Sequence, residues 1–235
     1  MVHDIVQALL SVSSKKKANL ATRFFKTAPG QYGEGDIFIG ITVPEQRKIA
    51  TQFQHASFAD IASLLKGEIH EHRFTALEIL DIQFKRAPHD SSRIKIVNFY
   101  LKNLSRVNNW DLVDTSAPYI LGAWLVDKKS ADRKILYKLA RSKNVWERRV
   151  AIVATQALIR EGQYQDTLRI AKILLADSHD LIHKATGWML REVGKLDEAL
   201  LITFLKQHAD TIPRTMLRYA IEKFPANIRR EFLTM

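Results

Sequence analysis

The sequence predicts an all-α fold in which helix pairs stack side by side into a curved superhelical solenoid. Three observations carry that prediction. Apolar residues recur at helical spacing in nearly every segment, as at Leu77, Leu80 and Phe84 and again at Ile94, Val97 and Leu101. Strand-like alternation is almost absent, and the nine glycines and six prolines fall mostly between the periodic segments. Similar short stretches also recur at about 30–38 residues, the period of helix-pair repeats that bury their apolar faces only by stacking on neighbours.

In order, the spacing predicts helices over about residues 3–12, 14–27, 44–55, 57–66, 69–87, 91–104 and 109–127, then 131–142, 145–162, 164–176, 179–194, 196–207, 211–224 and 226–233. Thr42-Val43-Pro44-Glu45 places a proline in a first helical turn. Asn108 and Asn109 offer an N-cap to the helix that Trp110 opens, and Pro118 should bend or loosen that helix. The recurring stretches are Glu71-His72-Arg73-Phe74-Thr75-Ala76-Leu77, Glu147-Arg148-Arg149-Val150-Ala151-Ile152, Ile182-His183-Lys184-Ala185-Thr186-Gly187-Trp188 and Ile212-Pro213-Arg214-Thr215-Met216-Leu217. Stacked inner helices would share a concavity, and Arg73, Arg149, Lys184 and Arg214, one from each stretch, would line it as a basic stripe. The competing reading is that these are incidental solvated charges. The length of 235 residues and the absence of any long linker suit a single domain spanning 1–235.

Charge narrows the class. Lysine and arginine exceed aspartate and glutamate to give a net charge of +11, a field that attracts polyanions and favours release of phosphate counterions. With no cysteine, disulfides, iron–sulfur clusters and cysteine-held zinc are excluded. The longest apolar stretch, Tyr119–Val126, is far too short to span a membrane, and the N-terminus lacks a secretory layout. A cytoplasmic protein is the expectation. The glycine-rich Gly30–Asp36 segment reads as a loop shaping the entry to the next helix. It has no Gly-Lys-Ser/Thr ending and follows no strand, which argues against a nucleotide P-loop. His70 and His72 are two residues apart, on different helix faces, and no His-Glu-x-x-His occurs, so neither metal nor cofactor is expected.

The chemistry concentrates in Asn108-Asn109-Trp110-Asp111-Leu112-Val113-Asp114-Thr115. Trp110 and Asp114 are one turn apart and share a helix face, with Leu112, Val113 and Ala117 on the buried side. Lys184, Trp188 and Arg191 share a face of a second helix, where Gly187 would let something approach closely. Each residue has a plainer role open to it. Tryptophans usually serve cores, as assigned to Trp124 and Trp146, and an aspartate near a helix start usually complements the macrodipole.

These segments, with Trp146-Glu147-Arg148-Arg149 and Phe38-Ile39-Gly40-Ile41-Thr42-Val43-Pro44-Glu45-Gln46-Arg47, resemble the AlkD-like DNA alkylation repair glycosylases over almost the whole chain, in order and at similar spacing. The resemblance implies HEAT-like repeats that hold duplex DNA in a positively charged concavity, and hydrolysis of the N-glycosidic bond to 3-methyladenine, 7-methylguanine and similar cationic bases. It implies that Asp114, Trp110 and Trp188 are the catalytic residues and that Arg149 and Arg191 contact the backbone beside the lesion. Arg148, Lys184, Arg47, Arg73 and Arg214 complete the expected DNA-binding set. Thr42-Val43 and the longer Gly30–Asp36 loop depart from the family pattern and leave the N-terminal contacts open.

The chemistry fits that implication. An alkylated purine already leaves as a cation, so the developing charge sits on the deoxyribose, where a carboxylate stabilises it and aims a water. Tryptophan faces attract the same charge. The sequence reading anticipates no closed pocket for a flipped base, and a monomer with its concave face committed to DNA. Two alternatives stay open: a non-catalytic DNA-binding solenoid for damaged or branched duplex, and a protein–protein scaffold.

Overall fold

A computed structural model describes residues 1–129 and 131–234. The described residues are helical with no named strand, and they fall into two units, Met1–Ser116 and Ala117–Met235. The fold class is the all-α one that the periodicity predicts.

The first unit contains α1 (Val2–Ser11), α2 (Lys15–Phe24), α3 (Val43–Gln52), α4 (Phe58–Lys66), α5 (His70–Arg86), α6 (Asp90–Lys102) and α7 (Trp110–Ser116). Helix α5 is its axis and packs against α1, α3, α4, α6 and α7. A helix contacted on so many sides buries polar positions along with apolar ones. His70, Glu71, His72, Arg73, Glu78 and Asp81 all lie inside. Burying such groups is costly unless they are hydrogen-bonded or paired. Glu71 meets the condition through backbone: its carboxylate accepts from the amides of Ile39 (3.1 Å), Gly40 (2.7 Å) and Ile41 (3.4 Å). The Ile37 carbonyl also accepts from the His70 amide at 2.8 Å, within an isolated parallel bridge between Ile37 and Ile69. Residues 37–41 are therefore strapped along the start of α5.

Capping fixes where the neighbouring helices begin. The Thr42 amide and hydroxyl both donate to Glu45 Oε2, at 2.8 and 2.6 Å, opening α3. Ser57 and Asp60 make the reciprocal arrangement at α4. Helix α2 is different: none of its residues is buried, and Leu20 and Phe24 are exposed. The spacing predicts helix to residue 27, but Lys26 adopts a φ of 52° and the helix ends at Phe24.

The second unit begins with a π-helical turn over Pro118–Gly122, where the Gly122 amide donates to the Ala117 carbonyl at 2.8 Å. Pro118 cannot donate a ladder hydrogen bond, and the expected loosening of the 109–127 helix takes the form of a five-residue turn. There follow α8 (Ala123–Leu125), α9 (Lys134–Ala140), α10 (Val145–Arg160), α11 (Gln165–Leu174), α12 (Asp180–Leu196), α13 (Glu198–Gln207), α14 (Arg214–Ala220) and α15 (Ala226–Thr234). Helix α10 packs on α8, α9, α11 and α12, and α12 packs on α11, α13 and α14. Trp146 is buried, as its core assignment requires. Trp124 is half-buried, with the Lys128 ammonium 3.9 Å from its ring centroid. Arg133 ties the start of the unit together, donating to the carbonyls of Leu125 (3.0 Å) and Val126 (2.8 Å) and to Asp166 (3.0 Å).

Gly187 is the close-approach point that the sequence suggests, but what approaches is protein. A Cβ there would stand 2.4 Å from the Met216 carbonyl oxygen and 2.6 Å from Tyr219 Cβ, so α12 and α14 touch nearly backbone to backbone. Gly187→Ala must push α14 away, and overpacking of this kind costs about 1–3 kcal/mol. Chemical denaturation should show that loss in the transition reporting the second unit. An unchanged midpoint would mean the helices are not held this tightly.

Candidate active site

Helix α7 carries Trp110 and Asp114 one turn apart, and both are half-buried. The N-terminus of α7 is anchored by side chains distant in sequence. Asn109 is fully buried; its Oδ1 accepts from the Trp110 amide at 2.8 Å and its Nδ2 donates to Asp36 Oδ2 at 2.8 Å. Asp111 Oδ1 accepts from the Leu112 amide at 2.8 Å, while Asp111 Oδ2 lies 2.8 Å from His70 Nε2. The other ring nitrogen, His70 Nδ1, lies 3.0 Å from Asp36 Oδ2. Arg73 completes the cluster by donating to Asp36 Oδ1 at 2.5 Å and to Asn108 Oδ1.

The electrostatics follow from this closure. Burial pushes the Asp36 carboxyl up, but hydrogen bonds from His70, Arg73 and Asn109 and the Arg73 charge overcome it, and its pKa falls to about 2. Burial opposes the charged form of His70, yet the Asp111 charge and the hydrogen bonds to Asp111 and Asp36 raise its pKa to about 9. Two cations and two anions thus balance in the interior.

Further along α7, Thr115 donates to Glu78 Oε1, which also accepts from Arg47 Nε at 3.2 Å, linking α7 to α5 and α3. Tyr100 is completely buried, and its hydroxyl is 3.0 Å from Ser116 Oγ. Burial raises the Tyr100 pKa, the Ser116 hydrogen bond opposes this, and the Asp114 charge adds to the rise. Burial and the Asp114 charge together keep the Tyr100 phenol protonated.

Trp110 stands among aromatic rings. Phe25 stacks on it at 5.3 Å and 17°, and Phe24 meets it edge-on at 5.8 Å. Phe24 is 65% exposed, so this edge of the cluster faces solvent. A cleft of about 200 Å³ beside it is lined in part by Phe25, Phe38, Gln46, His70 and Asp111.

In the second unit, Trp188 is half-buried on α12 and donates from Nε1 to Glu192 Oε1 at 3.1 Å. Lys184 pairs with Asp180 at 2.8 Å, and Arg191 with Glu222 and, at 3.6 Å, Glu192. Arg148 engages Asp177 through Nε and Nη2 at 2.5 and 3.3 Å. Arg214 is exposed and donates to the Leu233 carbonyl. Arg47 is exposed apart from its bond to Glu78.

Two members of the expected basic stripe lie elsewhere. Arg73 is 2% exposed and bound to Asp36 and Asn108, and Arg149 is 5% exposed and donates to the Leu181 carbonyl at 2.8 Å. The four repeat positions are equivalent in sequence but not in exposure. Asp36 makes the difference for Arg73, since a buried carboxylate draws the guanidinium inward. Sequence reasoning missed Asp36, His70, Asp111, Phe24 and Phe25. The repeated aspartate in Trp110-Asp111-Leu112-Val113-Asp114 and the paired Phe24-Phe25 were the signals present. The structure alone connects them to the loop and to α5. Among the described residues no group of three or more histidine and carboxylate side chains could hold a metal ion. No described helix is long and apolar enough to cross a membrane.

A chain with this architecture has relatives of known structure. It is similar to a protein from Enterococcus faecalis described as a predicted DNA alkylation repair enzyme, at 15% identity, covering 91% of this chain and 97% of that one with a TM-score of 0.68. At that identity the likeness is one of fold. Curated proteins gave no match. The family model of DNA alkylation repair enzymes matches residues 5–224, and the chain belongs to that family.

The buried network sets a pH window for stability. Asp36, depressed from 3.8 to about 2, contributes fully above pH 3.8 and loses its contribution as pH falls through 2. His70, raised from 6.5 to about 9, contributes fully below pH 6.5 and loses its contribution as pH rises through 9. Urea midpoints should therefore fall between pH 6.5 and 9, with a shallower fall in His70→Gln. Asp36→Ala, which leaves the buried Arg73 without an anion and His70 with Asp111 alone, should cost about 3–5 kcal/mol. A wild-type midpoint flat across that range would contradict the charge assignment.

Proposed function

We propose that the protein is a monofunctional DNA glycosylase that releases cationic alkylated purines, 3-methyladenine and 7-methylguanine, from duplex DNA. The observation that carries the reading is α7 in a chain of this family: a half-buried carboxylate at Asp114, one turn from a tryptophan whose aromatic surround reaches solvent. A binding module or scaffold has no need of that pairing.

In the reaction, the C1′–N bond breaks as the base leaves with the bonding electrons. N-alkylation had made the base a cation, so it departs neutral without a general acid. Positive charge develops on the sugar, and the Asp114 carboxylate stabilises it electrostatically. Water adds to C1′, and its proton passes to Asp114 or to solvent, leaving an abasic site. The face of Trp110 attracts the cationic sugar, and Trp188 is assigned the same role on α12. Because the leaving base supplies the driving charge, uncharged bases should be poor substrates.

Arg191, Arg148, Lys184, Arg47 and Arg214 are assigned to phosphates. Arg191, Arg148, Lys184 and Arg47 already hold carboxylates, so DNA must displace Glu222, Asp177, Asp180 and Glu78 from them. Each phosphate neutralised by one of these cations releases condensed counterions, so binding should weaken as salt rises. Arg149 and Arg73, being buried, are assigned to holding helices in place.

The test is base release from methylated duplex, wild type beside Asp114→Asn. Wild type should free 7-methylguanine or 3-methyladenine. The variant should lose about 10²-fold or more in single-turnover rate while binding duplex within a few-fold of wild type. Salt-dependent binding with no base release from any alkylated duplex would contradict the proposal and favour a non-catalytic DNA-binding role.

A further inference from the structure

We infer that His70 is a positioning residue for the candidate site: as an imidazolium clamped between Asp36 and Asp111, it sets the register of Trp110 and Asp114 on α7. This rests on the reading of those two residues given above.

The first argument is hydrogen-bond inventory. Both ring nitrogens of His70 lie within hydrogen-bond distance of carboxylate oxygens, Nδ1 at 3.0 Å from Asp36 and Nε2 at 2.8 Å from Asp111. Carboxylates only accept. A neutral imidazole has one N–H and would leave the other contact repulsive, whereas the imidazolium satisfies both. Asp36 also accepts from Arg73 and Asn109, and Asp111 from the Leu112 amide, so the imidazolium is one of several donors that hold the two carboxylates in place.

The second argument is connectivity. From His70, one route to Trp110 is covalent, because Asp111 is the next residue. The other is through rings: His70 lies 5.0 Å from Phe25 and 4.5 Å from Phe38, Phe25 and Phe38 stack at 4.8 Å, and Phe25 stacks on Trp110. The imidazole therefore fixes both the backbone that carries Trp110 and the ring that backs it. Among the described residues, the charged groups paired with the imidazole are Asp36 and Asp111. Asp36 comes from the loop, Asp111 from α7, and Arg73 from α5 through Asp36, while the contacts from residues 25 and 38 are aromatic. Losing the proton removes one of the two links, and a pKa of about 9 places that loss within reach of an assay.

Three measurements on the full chain test this. Single-turnover base release should lose rate as pH rises past 9, and His70→Gln should be slowed about tenfold or more at pH 7 without that alkaline limb, with duplex affinity within about twofold. Asp111→Asn leaves one acceptor oxygen where there were two and removes the charge that contributes most to raising the imidazole pKa, so its alkaline limb should move to lower pH. A merely structural role would not shift that limb. The third reads Trp110 without catalysis: the fluorescence difference between each protein and its Trp110→Phe counterpart should shift to the red and become more acrylamide-quenchable in His70→Gln.

Unchanged rate and unchanged Trp110 emission in His70→Gln would overturn the inference, as would an alkaline limb unmoved in Asp111→Asn. If His70→Gln fails to fold, the Asp111→Asn profile decides. If wild type releases no base at all, the glycosylase reading fails while Trp110 emission across pH 7–10 still decides the clamp. A transition near pH 9, moved down by Asp111→Asn, upholds it, and a flat response removes it.

Discussion

The buried Asp36 carboxylate is the interaction on which the first unit depends. A lone carboxylate in a protein interior carries a large desolvation penalty, offset only by close opposite charge and complete hydrogen bonding. Asp36 receives both, from His70 and Arg73 on α5 and from Asn109 at the entrance to α7. One oxygen pair thereby joins a glycine-rich loop, the central helix and the helix that carries the candidate catalytic residues. Glu71 does similar work one residue along, holding the strap of residues 39–41 through backbone amides.

That constraint explains why a site can be built on so short a helix. Helix α7 spans Trp110–Ser116, too short to be stable from propensity alone. Its start is fixed by Asn109 and by Asp111 on His70, its far end by Thr115 on Glu78 and Ser116 against Tyr100. Four points of attachment leave Trp110 and Asp114 on the remaining face. Rigid support of this kind suits the proposed reaction, in which the protein would supply electrostatics and orientation and the substrate its own leaving-group charge. Helix α2 contributes in the opposite manner: without a buried residue of its own, it brings Phe24, and Phe25 just past its end, to Trp110 and keeps an apolar, basic surface towards solvent.

Much of the fold is legible in the sequence because helices announce themselves locally. Apolar spacing located the elements, and Pro118 marked the place where α7 gives way to a π turn. The site is legible in part. Trp110 and Asp114 stand one turn apart on a helix that their spacing alone suggests. What local pattern does not carry is the destination of the charged residues. Arg73 and Arg149 match Lys184 and Arg214 in repeat position, yet a remote carboxylate in one case and the Leu181 carbonyl in the other draw them into the interior. His70-Glu71-His72 read as a failed metal motif, because its partners, Asp36, Asp111 and the amides of residues 39–41, lie 30 or more residues away or in the backbone. The glycine-rich loop looked like a connection and is the carrier of Asp36.

In the proposed reaction the Asp114 carboxylate is matched to a cationic sugar and to no earlier state of the substrate. The most direct measurement compares affinity for duplexes bearing two abasic-site analogues, one a protonated pyrrolidine and the other a neutral tetrahydrofuran. Transition-state complementarity predicts that wild type prefers the cationic analogue by about tenfold or more, and that Asp114→Asn loses the preference while binding the neutral duplex as before. Equal affinity of wild type for the two analogues would contradict a carboxylate matched to the cationic sugar.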